Sequence, residues 1–215
     1  MKKIYLSLLA VTLMFAACNN APEGDTAEVA KEETVALETP AGEAYAIAEG
    51  SKVSFYGATP THGQNGDLPL ESGSLYVSDG KITGGSVSVK LDNMVITSEG
   101  LEEEKKSDLK EHLLGADFFD AAANPTIKFE ITGAEVLEGD ASNTHTVSGN
   151  LTMHGKTNNI SFPAKVTLEE GRVKAAADFI VNRKEWDMSY KNDESLGDKW
   201  IYDEIKLNFD ITATK

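Results

Sequence analysis

The chain has 215 residues, room for one domain or two small ones, and its 40% hydrophobic content supports a single core. A formal charge of −15, with no stripe of basic residues, excludes nucleic-acid binding and fits a soluble face rather than one drawn to anionic membranes. A single cysteine excludes an intramolecular disulfide.

The chain starts with Lys2 and Lys3, then "IYLSLLAVTLMFAA". This apolar run is too short to span a bilayer comfortably, so residues 1–17 read as a secretory signal. It ends at Cys18, and "MFAAC" resembles the lipobox of bacterial lipoproteins, in which the cysteine becomes lipidated and N-terminal. Phe15 departs from the usual Leu. Lipidation at Cys18 is the expectation, and an incidental cysteine after an ordinary signal is the alternative. Residues 18–43 lack aromatics and are rich in Glu, Ala and Thr. That composition buries too little to order itself, so the segment reads as a flexible tether.

From residue 44 onward period-two alternation dominates, the mark of half-buried strands. Strands are expected over residues 51–58, 72–78 and 81–98, with a tight turn at Asp79-Gly80. The third changes phase between Leu91 and Met94, which suggests a bulge near Asp92-Asn93. Residues 99–114 break the alternation with Glu, Lys and Leu. Ser98 at the start and Gly115 at the end delimit a helix, with a thin apolar side of Leu101, Leu109 and Leu113. Then comes "ADFFD", with two adjacent aromatics in a connection. Phe118 and Phe119 either plug a core or line an apolar tunnel, and adjacent side chains diverge enough for one to do each.

Five further alternating runs follow: residues 126–138, 145–155, 158–169, 172–183 and 199–213. Pro163 falls on the outward phase, which indicates an exposed edge or a bulge. The expected fold is all-β, an eight-stranded antiparallel barrel with one helix inserted between its third and fourth strands. Closure removes sheet edges, and eight strands leave an interior that side chains fill or that holds one small ligand.

The inward phases carry small residues: Ala175 and Ala177 beside Phe179, and Gly149 beside Leu151 and Met153. A solid barrel would place larger side chains there, so these indicate a hollow, unless the helix or a loop fills the space. Arg183 continues the inward phase of its strand, and Asp203 lies on the apolar phase of the last one. Each charge needs a partner, and each is the other's best candidate. The pair is either a structural ion pair at the barrel end or one whose arginine also meets a polar or phosphorylated head group. His62, His112, His145 and His154 show no metal-ligand spacing. No nucleophile elbow, phosphate loop or dinucleotide motif appears. No cofactor, metal or catalysis is expected.

Four stretches, "GSLYVSDGKITGGSVSVKLDNM", "LKEHLLGADFFDAAANPTIKFEIT", "VSGNLTMHGKTNNISFPAKV" and "FIVNRKEWDMSY" with "IYDEIKLNFDITA", together resemble the YceI-like family. The similarity runs from the first strand to the end, though residues 59–71 match loosely. The resemblance implies a lipocalin-like barrel over residues 44–215 and a polyisoprenoid or isoprenoid quinone as ligand. The side chains then expected at the ligand are Phe55, Val89, Leu91, Phe118, Phe119, Phe129, Leu151, Met153, Ala177, Phe179, Arg183 and Trp186. The expected function is an envelope lipoprotein, membrane-held through its N-terminal lipid, that carries or stores an apolar lipid. The alternative is a structural or partner-binding lipoprotein with a filled barrel.

Overall fold

The computed structural model describes residues 20–35 and 39–215. The expected signal, residues 1–17, and Cys18 lie outside the described residues. Among the described residues eleven strands occur in chain order: β1 Glu28–Lys31, β2 Glu43–Ile47, β3 Lys52–Ala58, β4 Gly63–Ser78, β5 Lys81–Lys90, β6 Val95–Ile96, β7 Thr126–Val136, β8 His145–Met153, β9 Lys156–Glu169, β10 Arg172–Asn182 and β11 Glu204–Thr214. A single α-helix among the described residues, α1 Glu103–Leu114, stands between β6 and β7.

The strands close into an eight-stranded antiparallel barrel. β2 and β3 act as one stave, since both lie between β11 and β4. At the break between them the Ser51 hydroxyl donates to the Thr212 carbonyl and accepts from its N–H, each at 3.1 Å. Closure comes from β9, which pairs with the whole of β8 over Lys156–Ala164 and with β10 only over Lys165–Glu169. The Asp79-Gly80 turn has positive φ at both residues, 51° and 70°, as a type I′ hairpin requires.

Three expectations change locally. Residues 91–93 form a 3-10 turn rather than a bulge, and this turn buries Leu91 and leads into Met94, each 1% exposed. β4 begins at Gly63, nine residues before the expected strand start at 72. Residues 59–71, with two glycines and two prolines, fall outside the expected strands, yet Leu68 and Pro69 pair in register with Val53 and Lys52 of β3. Ser98 does not cap the helix. Its hydroxyl accepts from the Asn65 N–H at 2.9 Å, and the helix starts at Glu103 without a side-chain cap.

The flexible tether expected over residues 18–43 is corrected for residues 20–35. The stretch of β9 before residue 165 does not pair with β10, leaving a seam toward the end of the barrel where α1 sits. The N-terminal segment enters that seam. Ile180 of β10 donates to Asp25 and accepts from Ala27, both at 2.8 Å, and β1 pairs antiparallel with Asn158–Ser161 of β9. Unpaired strand edges attract any available backbone, and here the chain's own leader supplies it. Pro163, which has no N–H, stands in the short break where neither β1 nor β10 pairs with β9.

Candidate functional site

The lower half of the barrel is filled by rings. Phe162 and Phe179 stack at 4.0 Å with an interplanar angle of 12°, and Phe209 meets both edge-on at 5.6 and 5.2 Å. Phe129 lies 5.8 Å from Phe162. Gly149 leaves no gap, because a Cβ there would collide with the Phe129 ring. Below these rings lies a small cavity of about 50 Å³, against Ala175 and Ala177.

The upper half is hollow. A cavity of about 400 Å³ stands on Phe129 and Phe209 as its floor, within the range of about 300–1,000 Å³ usual for ligand pockets. Its walls are Val53 and Phe55 of β3, Leu68 and Leu70 of β4, Val87 and Val89 of β5, and Ile205 and Leu207 of β11. Leu109 and Leu113 of α1 cover one side, and Leu151 and Met153 of β8 another. Polar groups gather at the rim: Thr59 and His62 from the β3–β4 turn, Gln64 from the start of β4, and Lys191 and Asp198 from the loop before β11.

The adjacent phenylalanines separate as the chain turns. The N–H of Phe119 returns to Leu113 at 3.1 Å, and Asp120 adopts φ 45°. Phe119 thereby packs against the core. Phe118 joins His112 and Tyr190 in a three-ring cluster, with centroids 5.1 to 5.3 Å apart, that ties the end of α1 to the loop before β11. All four of these rings line the cavity, and three of them form part of its mouth.

Arg183 is 2% exposed. It donates to the carbonyls of Tyr202 at 3.1 Å, Met188 at 2.8 Å and Ile201 at 3.1 Å. Its approach to Asp203, 3.2 Å, is a charge contact rather than a directed hydrogen bond, and Asp203 also meets Lys184 at 2.8 Å. Burial pulls the guanidinium below its ordinary value, against the Asp203 and Glu204 charges, which raise it. With three of its five N–H groups bonded to backbone carbonyls and Asp203 beside it, Arg183 holds the chain at the barrel end. Lys191 is the exposed cation at the rim, 5.0 Å from the Tyr190 ring centroid.

Of the residues expected at a ligand, Phe55, Val89, Phe118, Phe119, Phe129, Leu151, Met153 and Arg183 line the large cavity. Leu91, Ala177, Phe179 and Trp186 do not. Leu91, Phe179 and Trp186 are packed solid, the indole N–H of Trp186 donating to Leu151 at 3.0 Å. Ala177 faces the small lower cavity. Leu68 and Leu70 were missed with the start of β4, although their period-two spacing was a signal for them. Among the described residues no group of three His, Cys, Asp or Glu is disposed to hold a metal, and no helix is long and apolar enough to cross a membrane.

A family model described as the YceI-like domain matches residues 45–213. No curated protein sequence matches the chain. Among solved structures, BcnA of Burkholderia cenocepacia superposes with a TM-score of 0.60 at 19% identity, over 76% of this chain and 96% of that one. A polyisoprenoid binding domain from Saccharophagus degradans, implicated in plant cell wall breakdown, gives 0.55 at 14%, over 79% and 97%. A Campylobacter jejuni YCEI protein gives 0.53 at 17%, over 70% and 84%. At these identities the likeness is one of fold.

Proposed function

The chain belongs to the YceI-like domain family, and from that membership we propose that it is a lipid-anchored envelope protein that holds the apolar tail of a polyisoprenoid-type lipid for carriage or storage. The observation that carries the reading is the cavity of about 400 Å³, walled by aliphatic and aromatic side chains and polar only at its rim. Such a wall binds by burial and asks no chemistry of the ligand, which supports a binder over a catalyst. At about 0.8 kcal/mol per buried methylene, some ten carbons contribute on the order of 8 kcal/mol, the free energy of a micromolar complex before the costs of association. Lys191 and His62 at the rim are placed for the polar end.

The test is a titration with a fluorescent polyprenyl analogue. The wild type is expected to saturate. Val89, 4% exposed on the cavity wall, becomes a cavity-filling ring in Val89→Phe, which should weaken binding by about tenfold or more, roughly 1.4 kcal/mol, while the melting temperature holds. Absence of wild-type binding, or a Val89→Phe variant that melts lower and binds unchanged, contradicts the reading.

A further inference from the structure

We propose that the N-terminal strap, residues 20–33, fastens the anchored end of the chain at the mouth of the barrel, so that the cavity opens onto the very bilayer that carries the anchor. This rests on lipidation at Cys18 as proposed above.

The strap is held at both ends and in the middle. At the rim, the Asn20 side-chain amide donates to the Pro60 carbonyl at 3.1 Å, and the Tyr56 hydroxyl donates to the Asn20 carbonyl at 3.0 Å. Pro60 belongs to the same turn as Thr59 and His62, which line the mouth. Lys206 donates to the Glu23 carbonyl at 3.2 Å. Backbone bonds in the seam follow through Asp25, Ala27 and β1. At the far end Asn150 accepts from the Glu33 N–H at 3.0 Å and donates to its carbonyl at 2.7 Å. Asn150 pairs across strands with Asn159, which donates to it at 3.1 Å, and both are nearly fully buried, 2% and 4% exposed. Buried amides on an outward phase need partners, and the strap's backbone is part of what they hold.

Distances decide the orientation. A free tether over residues 18–43 would wander on the order of 25–30 Å. β10 has 11 residues, so at about 3.3 Å each the turn at the closed end lies roughly 30 Å from the mouth. A free tether therefore lets either end meet the membrane. Cys18 precedes Asn20 by two positions, a reach of about 7 Å, so a docked strap allows only the mouth. The loop at that end presents Leu196, 44% exposed, beside Lys199 and the half-buried Trp200. Its acids Asp193, Glu194 and Asp198 favour a zwitterionic surface over an anionic one.

The lipidated full-length chain is placed in phosphatidylcholine vesicles that carry a head-group nitroxide lipid. With Cys18 acylated, Leu196→Cys at the mouth and Glu170→Cys at the opposite turn each take a thiol fluorophore at one position. Quenching is expected to be severalfold stronger at 196 than at 170. Equal quenching, or stronger quenching at 170, overturns the proposal. Releasing the strap with Ala27→Pro and Asn150→Ala together should bring the two labels toward parity in a barrel that still melts cooperatively, and a contrast that survives release overturns the strap's role. Should that double variant not fold, Asn150→Ala alone is expected to shrink the contrast, and an unchanged contrast again counts against the proposal. Polyprenyl binding by the soluble Cys18→Ser form reports on the ligand reading independently. A native chain that does not float with vesicles overturns both anchor and orientation.

Discussion

At Arg183 the sequence pointed to an ion pair, and the structure adds three carbonyls that matter more. Lys184 remains beside Asp203 if the arginine is lost, so the carboxylate is not stranded. The carbonyls of Met188 and Ile201 are. Leaving a buried acceptor unbonded costs about 1–3 kcal/mol, so Arg183→Met should destabilise by about 3 kcal/mol or more. Adding Asp203→Leu should recover little of it, because the carbonyls stay unpaired. Chemical denaturation of the four members of a double-mutant cycle checks this. Full recovery in the double variant would return the weight to the ion pair. The partnership of two charges on apolar phases was legible from alternation alone, whereas backbone acceptors supplied by irregular segments leave no trace in side-chain pattern.

The strands, the inserted helix and the closure of the barrel were legible at the level of elements because period-two alternation survives wherever one face is buried. What failed was local. Ser98 looks like a cap but bonds Asn65 instead, and the turn residues of 59–71 concealed the first half of β4. The small inward residues misled in a physical way. A glycine removes volume only if no neighbour fills it, and the ring of Phe129 does so at Gly149. Ala175 and Ala177 border the small cavity, not the large one. Ala177→Phe is therefore expected to overpack the lower barrel, costing about 1–3 kcal/mol, with polyprenyl affinity unchanged. A melting curve and a titration decide it. A variant that keeps its stability and loses the ligand would place the bound chain in the lower half. The strap escaped sequence reading because its composition is that of a disordered segment, and only the unpaired seam between β9 and β10 gives it a place.

The whole molecule combines the two interiors that the sequence left as alternatives, a lower half filled by four phenylalanines and an upper half that is open. The filled half gives the barrel a rigid core and the cavity its floor, and the ring cluster of His112, Phe118 and Tyr190 stands at the entrance. This division explains how one small barrel holds together while leaving apolar surface uncovered within. Such surface is stable in water only when something apolar occupies it or the entrance closes over it. The most direct test is to purify the protein from its host without denaturation, extract it with organic solvent and analyse the extract by mass spectrometry. A long-chain isoprenoid lipid is expected in near-stoichiometric amount, depleted in Val89→Phe. An extract free of lipid, from a wild-type protein that also fails to take up the polyprenyl analogue, would contradict it.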